Sequence, residues 1–285
     1  MNSKQRVQAA LDLRQADRIP FGEFAIDFDT VERILGHETY LRAKAKSQIA
    51  FWEGRRDEVV QSWKEDMVEL YRKLDCIDII NIGAMASSLV PPKEYDPKPP
   101  RRIDDKTWED AEGRVFKLSE ATMDITLVHD PLLWEREYPI ERYLADPQPV
   151  PPDPSIFEVV DHVIAALGQD RYLIGSSGTG VEMTMIGEME RGLAEYALNP
   201  ELVHAIARFN LKKGQQDDAW YIRPGQDAVF WGQDFSYKPG PMISPAMFAE
   251  FVVPYTRERV RQIRASHGMP VLKHACGNNW ASNVK

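Results

Sequence analysis

The chain has 285 residues, 43% of them hydrophobic, and a formal net charge of −9. That charge excludes a basic nucleic-acid footprint, or attraction to an anionic membrane surface, as the basis of function. The only cysteines, Cys76 and Cys276, lie far apart in unlike contexts, so no disulfide framework is implied and a reducing compartment is expected.

The first residues, Met1 to Arg6, are polar and lack the apolar stretch of a signal peptide. No apolar run nears the roughly 18 residues that cross a bilayer. The expectation is a cytoplasmic protein with neither nucleic acid nor membrane among its partners.

Five apolar runs predict buried strands, at residues 19–24, 76–83, 172–176, 228–235 and 271–274. Helical periodicity fills the stretches between them. Residues 58–74 place Val60, Trp63, Met67, Leu70 and Leu74 on one stripe. Residues 100–130 break the rhythm and predict a β insertion with a turn near Glu112-Gly113. The proline-rich stretch 147–154 reads as a stiff connector.

Residues 156–167 repeat the helical stripe with Val159, Val163 and Leu167, and Gly168 supplies a stop. Asn199-Pro200 and Ser244-Pro245 are helix starts, the second opening a helix over 245–266 that Gly268 ends.

Strands alternating with helices argue for an α/β protein with parallel strands. The insertion and the connector are read as parts of a single domain over 1–285. A complete (β/α)8 barrel needs about 250 residues and eight strands. Five strands would leave two open edges. Either further strands escape the apolar pattern, or, the favoured expectation, the chain is a barrel holding its first five βα units and incomplete at its C-terminal end.

Several residues could carry chemistry, each with a plainer alternative. Glu23 falls at the C-terminal end of the first predicted strand, where barrels carry their active sites, unless it is a surface carboxylate. Gly175-Ser176-Ser177-Gly178-Thr179-Gly180 could offer backbone N–H groups to an anion, or simply be a tight turn shaping a pocket wall. It matches neither common phosphate-loop pattern. Asp234 and Tyr237 follow the fourth strand, where Asp234 could hold a metal, orient His274, bind substrate or cap a turn.

His274 and Cys276 are two apart, and in an extended strand such residues share a face. Imidazole and thiolate are preferred zinc ligands. The plainer alternative is a hydrogen-bonded histidine beside a buried thiol.

Taken in order, four stretches resemble the uroporphyrinogen decarboxylase superfamily. They are Arg6-Val7 with Asp17-Arg18-Ile19-Pro20, then Gly232-Gln233-Asp234-Phe235, then Ile243-Ser244-Pro245 through Pro254-Tyr255, and finally Val271-Leu272-Lys273-His274-Ala275-Cys276-Gly277-Asn278. The resemblance implies a (β/α)8 TIM barrel, ending here after its fifth strand. Porphyrin-pathway decarboxylases of that superfamily carry Arg-Gln-Ala-Gly-Arg just after the first strand. This chain has Gly22-Glu23-Phe24-Ala25-Ile26-Asp27 there, and its similar Arg14-Gln15-Ala16-Asp17-Arg18 lies before the strand. An acidic slot repels a carboxylate-rich substrate.

The His274-Ala275-Cys276-Gly277 turn resembles the metal pair of the zinc- and corrinoid-dependent methyltransferase branch. That likeness implies Zn²⁺ held by His274 and Cys276, with a third protein ligand beyond Lys285. It also implies a corrinoid (cobalamin-type) cofactor carried by a partner protein. Glu23 and Asp234 would complete the coordination or orient His274. Tyr237, Gly175, Ser176, Ser177 and Asn278 would line the substrate pocket.

The implied reaction moves a methyl group between a small molecule, either methyl donor or thiol acceptor, and the corrinoid protein. A homodimer is one option for assembly. The alternatives are a cofactor-free decarboxylase of a tetrapyrrole and a non-catalytic barrel subunit that binds a partner protein.

Overall fold

The computed structural model describes residues 1–86, 89–120 and 122–279. The chain divides into two compact units. The first comprises Met1–Pro131, Pro152–Gly175 and Arg223–Gln226; the second comprises Leu132–Pro151, Ser176–Ile222 and Asp227–Lys285. Each contains a parallel strand pair and packed helices, so the chain is of the α/β class. Among the described residues no helix is long and apolar enough to cross a membrane.

In the first unit, β1 (Ile79–Asn81) heads an insertion made of β2 (Arg101–Asp104), β3 (Thr107–Glu109), β4 (Val115–Ser119) and β5 (Asp124–His129). The insertion is an antiparallel sheet in the order β2-β3-β4-β5. Its β3–β4 turn passes through Gly113, whose φ of +77° suits a residue without a Cβ. The edge strand β2 of this sheet is exposed at all four positions, so it carries no alternating apolar signal in the sequence.

Strand β6 (Tyr172–Gly175) runs parallel to β1 with Ile80 opposite Leu173. Parallel neighbours need a long crossover. Helix Glu158–Leu167 lies along that path and packs on helix Arg56–Lys73, which precedes β1. The stripe Val60, Trp63, Met67 and Leu70 is buried together with Val163, Ile80 and Leu173 in one cluster. Each such side chain contributes about 1.5–3 kcal/mol relative to exposure.

The expected first strand is not a strand. Residues 19–24 meet β1 through a single bridge between Gly22 and Ile79, with Phe21 O accepting the N–H groups of Asp78 (2.7 Å) and Ile79 (3.1 Å). Pro20 has no N–H for a ladder. Ile19 is 88% exposed, so nothing apolar draws it inward.

What anchors this segment is charge. Asp78 is fully buried and accepts hydrogen bonds from Ser3 Oγ (2.8 Å), Arg6 Nη1 (2.6 Å), Arg18 Nη1 (2.6 Å) and the Phe21 N–H (3.0 Å). Arg6 Nε also donates to Asp17 at 2.6 Å.

In the second unit, β7 (Ala228–Trp231) pairs in parallel with β8 (Val271–Lys273), Phe230 facing Leu272. The helix expected over 245–266 is two helices, Pro245–Phe251 and Val253–His267. Pro254 explains the break, because it cannot donate a helical hydrogen bond and its ring crowds the carbonyl four residues earlier. Ser244 caps the first, its Oγ accepting the Met247 N–H, and Gly268 ends the second in the left-handed region.

A second buried ion pair ties this unit together. Arg259, 0% exposed, makes a bidentate pair with Asp218 at 2.6 and 2.7 Å and donates to Gly214 O at 3.0 Å.

Candidate metal centre

Strand β8 delivers the 274–279 loop to the end of β7. The His274 N–H donates to Trp231 O at 2.9 Å, extending the ladder by one bond past the strand. The chain then leaves β geometry, so strand alternation does not bring His274 and Cys276 together. Hydrogen bonding does. The Cys276 N–H donates to Asp234 Oδ1 at 2.6 Å, and Gly277 turns with φ +84°. A Cβ on Gly277 would lie 2.2 Å from Ser236 O, so glycine is required on both counts.

Asn279 pins the turn. Its Nδ2 donates to Ala275 O and Cys276 O at 3.1 and 2.9 Å, while its Oδ1 accepts Ser236 Oγ at 2.7 Å.

These bonds place three donor atoms within 4.8 Å of one another: a carboxylate oxygen of Asp234, a ring nitrogen of His274 and Sγ of Cys276. His274 Nε2 is 3.1 Å from Cys276 Sγ and 3.8 Å from Asp234 Oδ1. Zinc–ligand bonds of about 2.0–2.3 Å at tetrahedral angles imply donor separations of about 3.3–3.8 Å. The sulfur, nitrogen and oxygen set is one that zinc accepts. Asp234 and His274 are half-buried and Cys276 is exposed, so the cluster is open to a small molecule.

Beside it lies a second charged pair. Lys273 Nζ is 2.8 Å from Glu182 Oε1, sits 4.3 Å from the Phe235 ring centre and donates to the carbonyls of Gln233 and His274. Burial pushes the Glu182 carboxyl above its ordinary range, and the Asp234 charge adds to this; Lys273 and the Gln233 N–H oppose it without cancelling it. The Gln233 side chain bonds Met183 through both N–H (2.6 Å) and carbonyl (3.0 Å). It thereby clips the β7 loop to the segment carrying Glu182.

The family profile described as Uroporphyrinogen decarboxylase (URO-D) matches residues 136–285, more than half of the chain. The chain belongs to the uroporphyrinogen decarboxylase family. Among solved structures it is similar to a methyltransferase from Methanosarcina mazei, with a TM-score of 0.56 and 14% identity over 98% of this chain and 71% of that one. At that identity the likeness speaks to the fold. No curated protein matches the chain by sequence.

In this member of the URO-D family, the remaining expected site residues are placed as follows. Tyr237, 40% exposed, donates its hydroxyl hydrogen to Met189 Sδ at 3.2 Å. Its carbonyl accepts the Asn278 N–H at 2.9 Å, so Tyr237 and Asn278 are joined through their backbones. Glu23 belongs to the first unit and is exposed there. Burial, with the Glu23 charge adding to it, raises the Tyr71 phenol well above the ordinary range.

Gly175 ends β6 in the first unit, with Gln226 Oε1 occupying the space a Cβ would need. Ser176 and Ser177 open the second unit's share of the loop. Ser177 Oγ accepts Trp231 Nε1 at 3.2 Å and donates to Gly178 O at 2.9 Å. The Gly178 N–H is committed to Asp218 at 2.9 Å, so this amide of the loop is drawn to a carboxylate of the protein itself.

The third metal ligand expected past Lys285 lies outside the described residues. Glu182, Lys273 and Asn279 were not legible as site residues. The only available signal for Asn279 was its place in the turn-forming Asn278-Asn279 pair.

Proposed function

We propose that this URO-D family member is a zinc-dependent methyltransferase, moving a methyl group between a small substrate and a corrinoid protein. The observation that carries this reading is the Asp234, His274 and Cys276 cluster, in which three chemically suitable donors lie within 4.8 Å of one another. The methyltransferase of similar fold and the His274-Ala275-Cys276-Gly277 turn support the same branch. His274 and Cys276 would hold the metal. Asp234 either supplies a third donor or keeps the Cys276 amide in place.

When bound, zinc supplies Lewis acidity toward a substrate heteroatom or lowers the pKa of a thiol. The chain's own residues do the positioning. Gly277 and Asn279 fix the path of the ligand loop, Lys273 holds its entry, and Tyr237 stands on the adjoining β7 loop. The corrinoid would arrive on its carrier protein.

The test is the zinc content of the purified chain, beside Cys276→Ser and His274→Ala. Near-stoichiometric zinc that falls sharply in both variants, with the helical circular dichroism unchanged, supports the reading. Equal zinc in all three, or none in the unaltered chain, would overturn it. The decarboxylase alternative predicts loss of carboxylate from a tetrapyrrole without metal, which porphyrin fluorescence would reveal. The sequence Gly22-Glu23-Phe24-Ala25-Ile26-Asp27 provides no arginine in the place where that chemistry needs one.

A further inference from the structure

The first unit contains a cavity of about 350 Å³ that the metal reading does not use. Its size is at the lower end of the roughly 300–1,000 Å³ range of small-molecule sites. Tyr40, Phe51, Trp63 and Met85 give it an aromatic and apolar wall. Phe51 and Trp63 meet edge to face at 5.9 Å and 88°, a packed and therefore preformed surface.

The charged groups of the lining are Arg42, Lys44 and Asp124. Lys44 Nζ is 2.6 Å from Asp124 Oδ2, so these two compensate each other and Arg42 remains. Arg42 is unusual in two independent ways. Its backbone sits at φ +64°, a left-handed conformation that a non-glycine residue adopts at a cost. Its guanidinium is only partly used: Nη1 donates to Ala84 O at 2.8 Å and Nη2 to Asp27 at 3.0 Å, while the buried Nε has no partner among the described residues. Asp27 is three-quarters exposed, so its pairing with Arg42 is worth little and leaves the guanidinium open to a second carboxylate.

From this we infer that the cavity is a binding site for a small monoanionic carboxylate with a flat, apolar body. A carboxylate is planar and matches a guanidinium edge through two parallel hydrogen bonds. The lining carries one cation in excess, which suits one negative charge better than the two of a phosphate. The aromatic wall suits a ring. The inference stands on the first unit alone and does not depend on the metal reading.

The experiment is calorimetric titration of the full chain with benzoate, benzyl alcohol and inorganic phosphate, with intrinsic tryptophan fluorescence as a second readout. Benzoate is expected to bind in the millimolar range or tighter. Benzyl alcohol and phosphate should each bind at least about tenfold more weakly. Arg42→Gly keeps the left-handed backbone while removing the fork, and should weaken benzoate binding at least about tenfold. Arg42→Lys should recover only part of the loss.

Equal binding of benzoate and benzyl alcohol, tighter binding of phosphate, no benzoate binding in the millimolar range, or an Arg42→Gly chain that binds benzoate as before would each overturn the inference. If Arg42→Gly fails to fold, Lys44→Gln takes its place and should weaken benzoate more than benzyl alcohol; an equal effect on both would overturn the inference.

Discussion

Replacing Gly277 by alanine tests whether the 274–279 loop is a preorganised metal site or an incidental turn. The cost follows from two features of the structure. A residue with a Cβ at φ +84° meets the left-handed penalty, about 1–2 kcal/mol. The new Cβ would also lie 2.2 Å from Ser236 O, so the loop or its neighbour must move by about 1 Å.

That movement strains the Asn278 N–H bond to Tyr237 O and the Ser236 bond to Asn279. Losing both would cost about 1–3 kcal/mol more. If roughly 2–4 kcal/mol of this falls on the arrangement that binds metal, zinc affinity drops by about 30- to 1,000-fold. Competition against a chromophoric chelator measures it, and circular dichroism checks that the fold persists. Gly240→Ala is the matched control, since nothing lies within 4 Å of the Cβ it would add. A Gly277→Ala chain that binds zinc as tightly as the Gly240→Ala chain would refute the claim that loop geometry assembles the centre.

Three further outcomes follow from the charged clusters. Arg259→Met leaves Asp218 buried without its cation and should destabilise the chain by about 3–5 kcal/mol in denaturant unfolding, while the double variant Arg259→Met/Asp218→Leu should recover much of the loss. Burial pushes the Asp78 carboxyl up, but the Phe21 N–H, Ser3, Arg18 and Arg6 outweigh it and hold the group below its ordinary range. A folded pKa below the unfolded value of about 3.9 gives stability that is present above that value and lost as pH falls through the folded one. Asp78→Asn should therefore flatten the acid limb of a stability–pH curve. Lys273→Met strands Glu182 beside Asp234 and should lower the unfolding midpoint at neutral pH more than at mildly acid pH, because a protonated Glu182 needs no cation. An equal drop at both would refute that reading.

The helices were legible wherever burial imposed a period. Met67 and Leu70 are fully buried in the helix whose stripe they define, and Pro200 and Pro245 each stand in the first turn of a helix. The strands β6, β7 and β8 were legible because their cores are short apolar runs. Failures have identifiable causes. Residues 19–24 are apolar but held by Asp78 through charge, which an apolar pattern does not register. Strand β2 is polar throughout and exists because β3 offers it a ladder.

At the site, the pairing of His274 with Cys276 was read from strand alternation, whereas the contact arises in a loop closed by Asp234. Glu182 was not legible, because only the fold sets it against Lys273, far away in sequence. Its elevated carboxyl is a property of that encounter.

The family-like motifs divide by how completely their polar atoms are used. Asp17-Arg18 looks like chemistry in the sequence, yet Arg6, Arg18 and Asp78 spend their hydrogen bonds on one another and on the backbone. A buried pair so engaged costs desolvation and returns register, since it fits only one arrangement of the chain. Asp218 and Arg259 do the same for the Gly178 loop. The centre at Asp234, His274 and Cys276 is built on the opposite plan. One Asp234 oxygen is spent on the Cys276 amide, and the remaining donors are half-buried or exposed, His274 Nε2 meeting Cys276 Sγ at 3.1 Å. Under the proposed function, donors gathered in this way by their neighbours' hydrogen bonds would be preorganised for the metal ion.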